Sequence, residues 1–472
     1  MPLPPHSCSP AAIALNRFGL GARPDEAVPA DPQRWIIDQF DRFDVRPARY
    51  VALADAGAIV SRYREQQQAN RHTTDIGDGM AAKATLKVGR RDFRQDVQAL
   101  YADGVQARAD AALATEAPFV ERMVHFWSNH FCVSADNARV TAFTAAFERD
   151  AIRPHVLGRF SDMLLAVERH PAMLLYLNQV QSIGPGSPAA TRASGRKRGL
   201  NENLAREIME LHTLGVRSGY TQADVTEFAR ALTGWSIEGL GGPAKQGREQ
   251  APGDRFLFRD RQHEPGPRTI LGTRYVEGGE AQARAALVDF ARTPSTATHV
   301  ATKIARHVAG DEPPPALVAR LAASFTATGG DLPSLYRTLA ASPEAWVAAP
   351  TKFKTPWEWT ISALRGTGRR QVGDMQIAAL QTQLGQRVWK PGAPAGWDDV
   401  AASWAGSDAL LRRVEIAQRL AAPLGETVDA RALAPRILPA SLSPATAEQI
   451  ARSESPAGAI ALLLVSPEFL RR

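Results

Sequence analysis

The stretch Asn201-Glu-Asn-Leu-Ala-Arg-Glu-Ile-Met-Glu-Leu-His-Thr-Leu-Gly215 is written as a helix from end to end. Asn201 suits the position that accepts hydrogen bonds from the first free N–H groups of a helix. Gly215 suits the left-handed turn that follows one. At about 100° per residue, Leu204, Ile208 and Leu211 form one apolar stripe. The same spacing recurs outward in both directions. It predicts helices over 90–114, 118–131, 140–150, 160–168, 171–180 and 222–234. Further on it predicts helices over 280–292, 296–309, 314–327, 331–341, 355–366, 373–384, 408–420, 444–452 and 457–465. Toward the start it predicts helices over 11–18, 32–40 and 49–66, with 67–87 a polar loop without a period. Phe256-Leu-Phe258 and Arg268-Thr-Ile-Leu271, with Pro265-Gly266 between them, predict a hairpin. The expected fold class is therefore mostly α, a large multi-helix array with one small β-hairpin excursion around 256–275. One domain over 1–472 is expected, with a weak sub-division near 311–315 at Glu312-Pro-Pro-Pro315.

The composition narrows the classes of function. The chain has 472 residues, 44% of them apolar and 22% charged, which is ordinary for a globular protein. Two cysteines, Cys8 and Cys132, exclude a disulfide framework, a four-cysteine zinc site and an iron–sulfur cluster. No apolar run approaches the roughly 18–20 residues of a membrane-spanning helix. The net charge of +7 comes from 56 Lys and Arg against 49 Asp and Glu, and only eight of the 56 are Lys. The Arg residues are scattered, whereas a nucleic-acid surface needs them clustered, so nucleic acid is not expected as a partner. The densest basic run, Arg192-Ala-Ser-Gly-Arg-Lys-Arg198, reads as a solvated loop. The first residues carry neither a basic segment nor an apolar one of signal-peptide kind. A cytoplasmic location is expected as the sequence stands, and an exported one if the true start lies upstream.

Three segments could carry chemistry. On the 201–215 helix, Asn203, Glu207 and Glu210 cluster, and carboxylates three apart can share a cation. His212 falls about 140° from Glu207 on a straight helix, so the two cannot grip one ion unaided. The plain reading is a solvated helix whose Glu residues pair with Arg206. In His125-Phe-Trp-Ser-Asn-His130-Phe131, His125 and Asn129 share a face and His130 packs by Phe126 and Trp127. Histidines in such surroundings are core residues or metal ligands. His263-Glu264 sits in the proposed hairpin turn, where a histidine is either merely exposed or presented by the scaffold for catalysis. Thr221-Gln-Ala-Asp224 is a capping pattern, and Thr233-Gly-Trp235 ends the helix that follows it. No Gly-x-Ser-x-Gly, Gly-x-x-x-x-Gly-Lys-Ser/Thr, Gly-x-Gly-x-x-Gly or His-Glu-x-x-His is present.

These segments also carry a resemblance. Ala14-Leu-Asn-Arg-Phe-Gly-Leu-Gly21, His125–Phe131, Glu202–Val216, Gly219-Tyr-Thr-Gln-Ala-Asp-Val225 and Ala229-Arg-Ala-Leu-Thr-Gly-Trp235 occur in this order. They are followed by the His263 turn leading to Leu271-Gly272, then Leu384-Gly-Gln386, Pro391 and Gly396-Trp397. Together they resemble the bacterial family catalogued as domain of unknown function 1800, along nearly the whole chain. The resemblance implies a bacterial protein of a family often exported, with a sulfatase-like protein encoded alongside as a candidate partner. It implies no activity and brings no catalytic residues with it. The chain departs from the family pattern at Glu264, where Asp is usual, and at Arg268, where Lys is usual.

The expectation for function is a metal-dependent hydrolase with a site built from the 125–131, 202–216 and 263 segments. His125, His130, His212 and His263 would hold a divalent metal such as Zn, Fe or Mn. The metal would generate hydroxide from water, with Glu207 or Glu210 taking its proton. Asn129 and Arg206 would orient or stabilise charge. The alternative is a non-enzymatic envelope or assembly protein that binds a partner protein or a glycan, with the same residues buried to fix helix packing.

Overall fold

The computed structural model describes residues 8–76, 79–192, 199–240, 255–350 and 352–472. Most of them are helical, as the periodicity predicts. The first long pair, α1 (Ala56–Ile76) and α2 (Met80–Ala114), replaces the loop expected over 67–87. Gln67, Gln68, Arg71, Lys83, Lys87 and the alanines at 69, 81, 82 and 84 favour helix one by one. They leave no apolar stripe because this end of the pair faces solvent, so a period search has nothing to find. Tyr63 of α1 meets Phe93 of α2 edge to face with ring centres 4.9 Å apart.

The next helix, α3 (Pro118–His130), begins with proline at its first position, where the missing N–H is not needed. It is buried almost all round, and Trp127 donates its indole N–H to the Tyr336 hydroxyl at 2.7 Å. Then come α4 (Phe160–Arg169), α5 (Asn203–Glu207) and α6 (Gln222–Leu232). α5 continues as a wider π turn over Ile208–His212. The extra residue in that turn swings His212 off the flank assigned to it by a straight helix and buries it beside Ile208.

The β excursion is two small pairs where one hairpin was expected. β1 (Trp235–Ile237) pairs antiparallel with β2 (Phe256–Phe258), and β3 (Arg268–Ile270) with β4 (Thr273–Tyr275). The turn lies at Leu271-Gly272, both at positive φ (51° and 76°), as a two-residue hairpin turn requires. Pro265-Gly266, which reads as the turn, precedes β3 instead.

Seven further helices matter for the site. They are α7 (Glu280–Arg292), α8 (Pro294–Ala309), α9 (Pro315–Thr328), α10 (Leu332–Ala341), α11 (Pro356–Gly366), α12 (Ser407–Ala421) and α13 (Pro456–Leu464). α8 is capped by Thr293, whose hydroxyl accepts from the Thr296 N–H. α11 has a full capping box from Thr355 and Glu358.

Buried apolar side chains form two clusters. One runs from Ile13 to Ala345 and includes α3 to α10, so the segment 311–315 leads into a helix of the same core. The other gathers α11 to α13 with Tyr101, Val105 and Ala109 of α2. Most of the basic run Arg192–Arg198 and of the loop after Gly239 lies outside the described residues. Among the described residues no helix is long and apolar enough to cross a membrane.

Candidate functional site

The two cores meet around a cavity of about 260 Å³. α3 supplies His125, Phe126, Asn129 and His130, and α8 supplies Lys303, Arg306 and His307. Spacings of four and five on α3, and of three and four on α8, put each set on one side of its helix. The second core contributes Trp357 and Glu358 from the start of α11, and a strap over residues 386–400 closes the cavity.

His307 carries the clearest chemistry. Its Nδ1 donates to Asp399 Oδ2 at 2.7 Å. Asp399 is steadied by Lys352, whose Nζ lies 3.0 Å from Oδ1 and donates to the Asp399 carbonyl at 2.5 Å. Lys352 also reaches Asp311 at 3.0 Å. The proton on Nδ1 leaves Nε2 with the lone pair, and Nε2 is buried without a hydrogen-bond partner among the described residues. Burial pushes the His307 pKa below its ordinary 6.5, although Asp399 pulls the other way. The ring is therefore neutral near pH 7.

Glu358 is the anionic centre of the wall. Burial would raise its carboxyl, but Arg472 and Arg122 beside it hold it well below the ordinary 4.5. Arg122 donates to Glu358 Oε1, and Arg472 Nη2 lies 2.8 Å from the same oxygen. The other nitrogens of Arg122 donate to the Phe18 and Gly19 carbonyls, at 3.1 Å and at 2.8 and 2.6 Å. Arg472 also donates to the His307 carbonyl at 2.8 Å, tying the Glu358 group to the dyad.

His125 accepts from the Trp357 indole N–H at 3.2 Å through Nδ1. Burial, then the Arg108, Arg153 and Arg122 charges, push its pKa well below 6.5, so it is a neutral ring that orients Trp357. Asn129 is a clamp. Its Oδ1 accepts from the Trp397 N–H at 2.8 Å and its Nδ2 donates to the Trp397 carbonyl at 2.9 Å. Both ends of the amide are thereby committed to the strap.

Of the other expected site residues, His130 touches the cavity lining, and His212, His263, Arg206, Glu207 and Glu210 lie away from it. His130 Nε2 donates to the His212 carbonyl at 3.1 Å, and His299 Nε2 to the Leu211 carbonyl at 2.9 Å. These are carbonyls at the end of the π turn that no later backbone N–H would satisfy. His263 Nδ1 does the same for the Thr233 carbonyl at the end of α6, at 2.9 Å. His212 Nδ1 meets Glu168 of α4 at 2.7 Å, both buried. Arg206 pairs with Glu202 at 3.2 Å and lies 3.6 Å from Glu210. Glu207 is half-buried, and burial raises its pKa against the pull of His212. Among the described residues no group of three or more His, Cys, Asp or Glu is placed to hold a metal ion. The Zn, Fe or Mn expectation therefore finds no ligand set there.

His307, Asp399 and Glu358 were missed in the sequence, although His307 and Glu358 each left a trace. Lys303, Arg306 and His307 make a polar stripe on a helix whose Val300, Ile304 and Val308 are fully buried. Glu358 sits between Trp357 and Trp359 in a capping pattern.

A family model described as "Protein of unknown function (DUF1800)" matches residues 13–471, nearly the whole chain. The chain belongs to the DUF1800 family. Neither the curated proteins nor the solved structures compared with it gave a match. The family description names no function, so the cavity of the DUF1800 chain is read from its own residues.

One buried group beside the site yields a prediction about stability. Lys354 is 0% exposed, and its Nζ has no hydrogen-bond partner among the described residues and lies 4.2 Å from the centre of the Phe469 ring. Burial pushes its pKa down to about 7. The folded amine gives up its proton near pH 7, whereas the unfolded one holds it to about 10.4. Stability therefore rises as pH climbs between these values. Lys354→Met is expected to stabilise the DUF1800 chain by roughly 1–4 kcal/mol at neutral pH and to flatten that rise. Urea unfolding as a function of pH reads both effects, and a destabilised variant would refute the assignment.

Proposed function

We propose that the cavity is the active site of a hydrolytic enzyme in which His307 is the general base. The observation that carries this reading is the half-buried His307–Asp399 pair on the cavity lining, whose leftover ring nitrogen has no partner among the described residues. A neutral imidazole held in one tautomer by a carboxylate is suited to take a proton from water and pass it to a leaving group. Asp399 fixes the ring and steadies the cation formed, and Lys352 fixes Asp399. His125 and Asn129 act on the walls, the first through Trp357 and the second through the strap.

A panel of esters, amides, glycosides and sulfate esters, assayed with the full chain, tests the reading. Wild type is expected to hydrolyse one class, with kcat/KM level above about pH 6.5 and falling as acid protonates His307. His307→Asn and Asp399→Asn are each expected to lower kcat by roughly 10²–10⁴-fold. A His307→Asn enzyme as fast as wild type overturns the assignment. In ¹⁵N NMR of labelled protein, His307 must show a protonated Nδ1 and a bare Nε2 at neutral pH. Tight binding without turnover would favour the alternative of a glycan- or partner-binding protein, for which the half-buried Trp397 at the cavity offers a ring.

A further inference from the structure

Not every cation lining the cavity is paired, and the exposed lining carboxylate Asp398, which accepts from the Ser403 hydroxyl at 2.8 Å, makes no ion pair among the described residues. Arg122 is matched by Glu358, and Arg108 lies 3.1 Å from Glu148. Glu358 is in turn shared with Arg472, and Asp399 with His307 and Lys352. Two cavity-lining cations remain. Lys303 makes no hydrogen bond or ion pair with any described residue. Arg306 donates through Nε to the Asp311 carbonyl at 3.2 Å, leaving both Nη groups without a partner among the described residues. Both stand on the face of α8 that carries His307, one turn apart. Two half-buried cations without a carboxylate partner leave a positive patch that an anion would complete.

We propose that Lys303 and Arg306 form an oxyanion-binding subsite, so that the substrate carries a carboxylate, sulfate or phosphate group gripped beside His307. The inference rests on reading the cavity as the active site. The Arg306 fork suits two oxygens of one such group, and the Lys303 ammonium adds a point charge. Burial, with Arg306 nearby, pushes the Lys303 pKa down to about 8, against the pull of Cys132 and Asp399. His130 and His299 also face it. Burial holds His130 well below its ordinary value and His299 down to about 4, so both are neutral there. The Cys132 thiol is pushed up to about 12 by burial, and the Asp399 carboxylate is held low by His307 and Lys352 against burial. Lys303 is therefore the group in this set that titrates between pH 7 and pH 9.

Calorimetric titration of the full chain with acetate, sulfate and inorganic phosphate is the test. Saturable binding of at least one anion is expected in the millimolar range or tighter, and the best anion identifies the substrate's charged group. Lys303→Met and Arg306→Gln are each expected to weaken it roughly tenfold or more. Wild-type affinity is expected to fall as pH rises from about 7 to about 9, and that fall should vanish in Lys303→Met. His307→Asn should bind the anion within a few-fold of wild type, because the base is not the grip. Absence of saturable binding of all three anions, or a folded Lys303→Met that binds like wild type, overturns the subsite. Either result leaves the His307 rate test standing, since that test reads turnover and this one reads affinity.

Discussion

Glu358→Gln is expected to destabilise the protein by about 3–5 kcal/mol near neutral pH, the range for removing one partner of a buried ion pair. The carboxylate is 8% exposed and directly meets Arg122 and Arg472. Lys354 and Arg413, both buried, also feel its charge. Without it the guanidinium groups of Arg122 and Arg472 face each other uncompensated, and Arg472 already lowers the affinity of Arg122 for a proton. The pH dependence has a definite sign. A carboxyl held well below 4.5 in the folded chain contributes stability that is full above the unfolded value, about 4.3. That contribution is lost as pH falls through the folded value. Wild type should therefore weaken steeply below about pH 4, whereas the variant should be weaker at neutral pH and lose less on acidification. Chemical denaturation at several pH values reads both effects. A Glu358→Gln protein within about 1 kcal/mol of wild type would show that the cation cluster is not held by this charge.

Gly396→Ala is the second large effect. The residue has φ +84°, a region L side chains rarely adopt, and a Cβ there would sit 2.4 Å from the Asn129 carbonyl oxygen and 2.8 Å from its Oδ1. The first is backbone of a buried helix and cannot yield, so the strap must move. Left-handed strain of about 1–3 kcal/mol adds to the clash. The two bonds between Asn129 and Trp397 are next to the displacement and should break with it. The expected result is a loss of about 2–4 kcal/mol in stability together with loss of turnover and anion binding. Gly392→Ala is the control. It lies in the same strap with nothing within 4 Å of its would-be Cβ, and should be near neutral in all three measurements. A Gly396→Ala protein with wild-type activity would show that the strap does not shape the cavity.

The helical class could be read from the sequence because most helices bury one face, and burial writes a period. α8, with Val300, Ile304 and Val308, is such a case. The far end of α1 and the start of α2 bury little, so residues 67–87 carry propensity without period. The π turn over Ile208–His212 escaped because a wheel assumes a constant angle per residue. The site was half readable. The 125–131 segment does line the cavity, but its partners come from residues 303–307, 357–358 and 386–400, which only folding brings alongside. Histidine and carboxylate at metal-like spacing drew attention to Glu207, His212 and His263. Spacing along the chain cannot tell a ring that serves a ligand from a ring that closes a helix end. His130 and His263 do the latter.

The strap over residues 386–400 is gripped by its main chain. Tyr101 holds the Val388 carbonyl, the Ala135 N–H the Trp389 carbonyl, Ser134 that of Pro391, and Cys132 that of Pro394. Asn129 holds Trp397, and Lys352 holds the Asp399 carbonyl. None of these grips depends on which side chain the strap residue carries. Where a roof side chain is purely apolar, as at Val388, Ala395 and Val400, it can change while the path is kept. Substitutions at Val388, Ala395 or Val400 would therefore reshape the cavity wall with the His307 pair and the helices beneath left untouched.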